Sequence, residues 1–438
     1  MKNLLFIQLN EINFDLALPY IEKLNLKGLK KLLKLNKTIT SSEEKYELLE
    51  PWIQWHSIHT GLSADEHKLF RLGDANLCSH KTIYEIVESS GFKIGVMSAM
   101  NITNNFKNPS FFIPDPWTET TSGNSFWEKK ISGFLNQSVN NNVTNEISLK
   151  NYFYILLALM FFGRFKNYIK YFSLALSSSK KPWRKALFLD LLLSDIFLKL
   201  SSKNKVNLSS LFLNAGAHIQ HHYFFNSSAK IQKNDKQKNP SWYISEKYDP
   251  FEEMLKIYDG IVEDFFLTDK KQLLFATGLT QEFDDEAVFY YRPKNHENFL
   301  KKLGINFKKV LPRMSRDFLI EFFSESEAIK AENLLNSIEL NNQKLFLEPD
   351  NRGKTLFVSI GYGREILEND FVLSNDKEIK LKKELSFVAI KNGKHSSKGF
   401  LFFTDELLNN GKINRSETIN VKDIYKIIAD YFKIALKN

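Results

Sequence analysis

Short apolar runs of strand length alternate along the chain with amphipathic helical stretches, the pattern of a parallel α/β sheet. Leu4–Leu9 is apolar on both faces and predicts a central, buried strand. Leu26–Leu35 predicts an amphipathic helix, Trp52–Thr60 a helix running into Gly61, and Thr82–Glu88 a helix stopped by Ser89-Ser90-Gly91. Lys93–Met97, Leu208–Leu213 and Gln272–Ala276 read as further buried strands. Residues 149–203 are helical in pattern throughout, and Tyr248–Phe266 predicts another helix. The polar stretches Asn136–Asn145 and Asn226–Pro240 predict a surface loop and a linker.

The rhythm then breaks. Val288–Tyr291 predicts a short strand, His296–Leu303 a helix and Asp317–Phe323 a strand. Ser324 opens a helix to Leu335, with Glu327 at its capping-box position. Strand signals return at Leu356–Ile360, Phe387–Ile390 and Phe400–Phe403, and Lys422–Lys433 predicts a closing amphipathic helix. The expected class is α/β, a doubly wound, mostly parallel sheet with a helical cap and a small α+β insertion. The expected division is core over 1–148, cap over 149–203, core over 204–284, insertion over 285–350 and core over 351–438.

The start of the chain is apolar, but Gln8 breaks the run and Asn10-Glu11-Ile12-Asn13 follows in place of a small-residue cleavage site. A buried strand is the better reading than a signal peptide. Tyr152–Phe162 is an apolar run of 11 residues followed by Arg164 and Lys166. A spanning helix needs about 20, so this segment and Ala186–Leu200 are expected to cap the core. Contact with a membrane surface through 152–200 is the alternative.

Composition narrows the picture further. The 438 residues are 43% hydrophobic, with 38 Phe, which excludes wholesale disorder. The one cysteine, Cys78, excludes a disulfide framework and fits a reducing, cytoplasmic setting, peripheral to an inner membrane if the cap touches one. The net charge of +9 is spread over many segments, without a helix-turn-helix, zinc finger or RNP-like motif, so nucleic acid is not an expected partner.

Four stretches, in order, resemble the alkaline phosphatase-like superfamily of sulfatases, nucleotide pyrophosphatases and phosphodiesterases. They are Leu4–Leu9 leading to Asn10-Glu11 and Asp15; Pro51-Trp52-Ile53-Gln54-Trp55-His56-Ser57-Ile58-His59-Thr60-Gly61-Leu62 with Glu66-His67; Leu211-Phe212-Leu213-Asn214 with His218; and Asn420-Val421-Lys422-Asp423-Ile424. His395 with Gly399-Phe400 resembles the late ligand histidine, and Thr277-Gly278-Leu279 stands where the family has Ser-Asp-His-Gly.

The resemblance implies two metals about 4 Å apart, clamping the attacking and leaving oxygens. Carried over position by position, the first Asp falls on Asn10, the nucleophile on Pro51, the next Asp on Asn214 and the Asp-His pair on Gly278-Leu279. Only the histidines at His218 and His395 keep their type. Proline has no hydroxyl to form a covalent intermediate, so the usual two-metal reaction is not expected.

The surroundings remain polar. Glu11 stands beside the lost carboxylate. His218 and His222 are four residues apart, on one helix face, in a run that also holds His221. The expected catalytic groups are Glu11, His218, His222 and Gln54; the expected substrate contacts are Arg71, Gln281 and Arg316. Glu11, His218 and His395 are the expected ligands of a single divalent ion, zinc or manganese. Each has an ordinary structural alternative, since a lone histidine is usually a hydrogen-bonded packing residue. Three classes follow. One is a reworked hydrolase or transferase acting on a phosphate- or sulfate-bearing small molecule or glycan, as in envelope polysaccharide metabolism. The others are a non-catalytic relative binding a phosphorylated sugar, nucleotide or lipid headgroup, and a membrane-docked scaffold.

Overall fold

The computed structural model describes residues 3–140, 148–230, 236–268, 271–313, 316–374, 377–411, 413 and 418–436. The chain divides into two compact units, one of residues 1–233, 244–283 and 393–438, the other of residues 234–243 and 284–392.

The first unit is built on an eight-stranded sheet. Its strands are β1 (Asn3–Leu9), β2 (Asn36–Ser41), β3 (Ile94–Met97), β4 (Phe111–Ile113), β5 (Leu208–Leu213), β6 (Lys271–Ala276), β7 (Lys398–Phe403) and β8 (Ile419–Asn420), in the order β8-β2-β7-β6-β1-β5-β3-β4. β7 alone runs antiparallel to its neighbours; all other pairs are parallel. β1 lies between β5 and β6, and Leu4, Leu5, Phe6 and Ile7 have no solvent exposure. That double burial is why its apolar run is continuous. Leu4 and Phe6 join a cluster with Trp55, Ile58, Tyr84 and Ile424, while Phe197–Phe111 and Phe265–Phe275 ring pairs join other helices to the sheet. The sheet is doubly wound.

Residues 149–203 form three helices, α3 (Leu149–Phe162), α4 (Tyr168–Ser177) and α5 (Arg184–Lys203). They follow α1 (Phe14–Lys23) and α2 (Pro51–Thr60) in the numbering used here. Next come α6 (Ala215–Tyr223) and α7 (Pro250–Phe266). Among the described residues no helix is long and apolar enough to cross a membrane. The loop expected over Asn136–Asn145 is helical to Asn140, as part of Phe126–Asn140, and residues 141–147 lie outside the described residues. There Ile131, Phe134 and Leu135 are buried at helical spacing, which carries the helix into the polar stretch.

The second unit has its own four-stranded antiparallel sheet, Asp350–Asn351, Thr355–Ser359, Asp317–Glu321 and Lys309–Pro312. Phe299, Leu300, Phe318, Ile320, Leu356 and Val358 share its core. Ser324 and Glu327 close the capping box of the helix Glu325–Ser337. The unit extends past the expected boundary at 350 to residue 392, taking Leu356–Ile360 out of the main sheet. Alternating burial in Thr355–Ser359 marks a sheet with only one covered face, unlike the parallel core strands. The expected short strand Val288–Tyr291 is part of a 14-residue strand, Thr280–Pro293.

Candidate metal centre

Parallel strands deliver their following loops to one edge of a sheet, where sites of α/β proteins gather. β1 ends at Leu9 and Glu11 follows two residues later; β5 ends at Leu213 and α6 begins at Ala215. β6 leads through Thr277 to Gln281. Because β7 is antiparallel, its beginning lies at the same edge, which brings His395 there.

The oxygen Glu11 Oε2 lies 3.0 Å from His221 Nε2 and 3.4 Å from His395 Nε2, and the two Nε2 atoms are 3.3 Å apart. Nitrogen and oxygen ligands bonded tetrahedrally at zinc distances are roughly 3.4 Å from one another. The triangle therefore has the size of one face of a coordination tetrahedron, and among the described residues it is the one such group of three. Two N–H groups cannot point at each other across 3.3 Å, so at least one Nε2 presents its lone pair. The donor set, two histidines and one carboxylate, fits a divalent ion of zinc type with a fourth position open.

The support around Glu11 is extensive. Its backbone is left-handed, with φ 62°, a conformation costly for a residue with a side chain. Its N–H donates to Thr277 O at 3.0 Å, and its carbonyl accepts from Gln220 Nε2 at 2.9 Å and Gln281 N at 3.2 Å. Asn10 Nδ2 donates to Oε1 at 3.0 Å and Gln281 Nε2 donates to Oε2. Burial pushes this carboxyl's pKa up, but the imidazoles of His221 and His395 against Oε2 pull it the other way and prevail, holding it well below the usual range. Glu11 is thus an anion at neutral pH, suited to ligation and not to donating a proton.

His221 reaches the site because α6 is seated closely. Ala215 N donates to the buried Asp190 carboxylate at 2.8 Å, as does Tyr258 Oη at 2.6 Å. A Cβ on Gly216 would lie 2.6 Å from Ile12, so glycine is what lets the helix approach the loop carrying Glu11. Gly216, Ile219, Gln220 and Tyr223 form the buried stripe of α6. His221 lies one turn beyond Ala217 on the flank toward Glu11 and Gln281. His395 Nδ1 faces Glu50 Oε2 at 3.7 Å, beyond hydrogen-bond distance.

The structure brings Glu11, Gln281 and His395 together, and adds His221. His218, expected as a ligand, is outside the triangle. It stacks on His222 at 5.0 Å and Tyr223 at 6.1 Å, and its pKa is pulled to about 4 by burial and by the charge of His221. The helical spacing that puts His218 and His222 on one face puts both on the flank away from Glu11. Gln54 is fully buried and donates to Leu48 O at 2.8 Å. His56 meets Asn101 O and the Cys78 thiol, and His59 is enclosed between Trp55 and Tyr84. Arg71 contributes its carbonyl to Asn101. Arg316 belongs to the second unit, stacked on Tyr290 with its centre 4.3 Å from the ring.

The positions where the resemblance expects the other ligands have a different occupant. Asn10 Nδ2 donates to Asn214 Oδ1 at 2.8 Å, and Asn10 Oδ1 accepts from Trp55 Nε1 at 2.6 Å. The Trp55 indole also lies against Gly278, whose added Cβ would be 3.1 Å from the ring. Asn10 and Gly278 thus border a buried indole, and Asn214 is linked to it through Asn10. Pro51, at the nucleophile position, is the first residue of α2.

No family model matches the chain, and no curated protein does. Solved structures are similar to it. They include phosphonoacetate hydrolase from Sinorhizobium meliloti 1021 in complex with phosphonoacetate (11% identity, 98% of this chain and 96% of that one, TM-score 0.41). Human ectonucleotide pyrophosphatase/phosphodiesterase 5 is 10% identical over 100% of this chain and 96% of that one, TM-score 0.45. Its murine counterpart, inactive and in complex with AMP, is 11% identical over 99% and 96%, TM-score 0.43.

Proposed function

We propose that the first unit is a divergent alkaline phosphatase-like module that binds one divalent ion through Glu11, His221 and His395 and takes a phosphate-bearing small molecule beside it. The observation that carries this is the triangle of Glu11 Oε2, His221 Nε2 and His395 Nε2 at the carboxyl edge of the sheet. A bound ion of zinc type supplies Lewis acidity toward a phosphoryl oxygen. Glu11 contributes a fixed negative charge, held by Asn10 and Gln281. His221 and His395 must present unprotonated Nε2 atoms, so each carries its proton on Nδ1.

Pro51 stands where the resemblance expects the nucleophile, and proline has no hydroxyl to form a covalent intermediate. Turnover of p-nitrophenyl phosphate is therefore expected to be at background. Inorganic phosphate, titrated calorimetrically, is expected to bind the zinc-loaded protein and not the EDTA-stripped one. Equal binding to both forms, or family-like turnover lost with EDTA, contradicts this reading.

A further inference from the structure

α3 and α4 rest on α5 through Ala158, Phe162, Tyr171 and Leu174, which are buried. The side turned away is almost wholly apolar. On α3 it carries Tyr152, Leu156 and Met160, exposed by 49%, 60% and 72%. Phe165, Ile169 and Phe172 continue it at 93%, 83% and 63%. These positions recur at three- and four-residue intervals, so each forms one stripe on its helix. Large contiguous apolar surfaces are uncommon on proteins that stay in water.

The segment's own charged residues have one sign. Between residues 147 and 189 the chain has Lys150, Arg164, Lys166, Lys170, Lys180, Lys181, Arg184 and Lys185, and no Asp or Glu. Arg164 and Lys166 share the single carboxylate of Asp264, and Arg184 pairs with Glu253, so the region stays net cationic. The cations lie at the ends of the helices: Lys150 near the start of α3, Arg164 and Lys166 between α3 and α4, Lys180 and Lys181 beyond α4.

We infer that α3 and α4 dock the protein on an anionic lipid bilayer surface, apolar stripes in the acyl boundary and terminal lysines at the headgroups. Apolar stripes rimmed by cations are the arrangement that binds such an interface. Neither helix is long enough to cross it. The inference is independent of the metal site.

The test is co-sedimentation of the whole chain with phosphatidylcholine vesicles and with vesicles rich in phosphatidylglycerol. Binding is expected to the anionic vesicles, weakening as salt is raised. Phe165→Ser with Ile169→Ser is expected to lower the partition constant at least about tenfold. Leu156→Ser with Met160→Ser on α3 provides a second variant with the same expected loss. Circular dichroism melting identifies a variant that fails to fold, and the other then decides. No binding to anionic vesicles, equal binding to both kinds, or no loss in a folded variant overturns the inference. So does a lipid-free dimer that Phe165→Ser with Ile169→Ser dissociates, if the wild type ignores vesicles; the stripes then meet a second copy.

Discussion

Replacing Trp55 by phenylalanine probes whether the lost ligand positions have been rebuilt as a packed, internally satisfied core. The indole has no solvent exposure, and its Nε1 donates to Asn10 Oδ1 at 2.6 Å. Phenylalanine keeps the aromatic packing and removes the donor. Asn10 Oδ1 is then a buried acceptor without that partner, a loss of about 1–3 kcal/mol. The smaller ring buries less area, worth roughly 1 kcal/mol more. The expected total is about 2–4 kcal/mol, read as a lower urea midpoint at unchanged m. Asn10→Ala removes the other partner, and the double variant isolates their coupling, expected at about 1–2 kcal/mol. A Trp55→Phe cost below about 0.5 kcal/mol, the range of an indifferent surface change, refutes the reasoning. Strict additivity in the cycle does the same.

Three other outcomes follow from buried groups nearby. His59→Phe is expected to leave stability unchanged or raise it by about 1–3 kcal/mol in urea unfolding, because among the described residues both ring nitrogens are buried without a hydrogen-bond partner; a clear loss would show that they are satisfied. Gly278→Ala is expected to cost about 2–3 kcal/mol by the same assay: φ is 72°, left-handed backbone alone takes about 1–2, and the new Cβ presses on Trp55. Acidification is expected to destabilise the fold. Burial is the main cause that lowers the pKa of His56 to about 4 and of His67 to about 3. These histidines stay neutral in the folded state while the unfolded chain protonates near pH 6.5. Their stability contribution is complete above about pH 6.5 and is lost as pH falls toward 4. His56 alone accounts for about 2 kcal/mol between pH 7 and pH 5, measurable in urea; greater stability at pH 5 would contradict it.

Much of the sheet was legible because burial leaves a direct mark on sequence. Leu4–Leu9, Leu208–Leu213 and Gln272–Ala276 place apolar residues on both faces, and only strands covered on both sides need that. The second unit was less legible, because its strands are half-exposed and alternate, and a boundary inside such a stretch carries no compositional change. Glu11 could be singled out as a carboxylate just past a buried strand. His395 came from the motif order. The choice between His218 and His221 depends on which flank of α6 faces β1, and that is set by Gly216, Ile12 and Asp190. The buried stripe Gly216, Ile219, Gln220 and Tyr223 was the available signal, since it leaves His221 on one flank and His218 with His222 on the other. The Trp55 network was hidden for a simpler reason: a tryptophan inside a buried helix looks like packing until its Nε1 partner is known.

Zinc titration by calorimetry into EDTA-stripped protein, on the wild type, His221→Ala and His218→Ala, tests the central claim most directly. One ion per chain is expected, with affinity lowered more than about 100-fold by His221→Ala, a larger effect than loss of an orienting partner, and little change with His218→Ala. The same titration is expected to weaken as the pH falls, because the histidines must be unprotonated to bind the ion. No binding, two ions per chain, or loss with His218→Ala while His221→Ala still binds would contradict it.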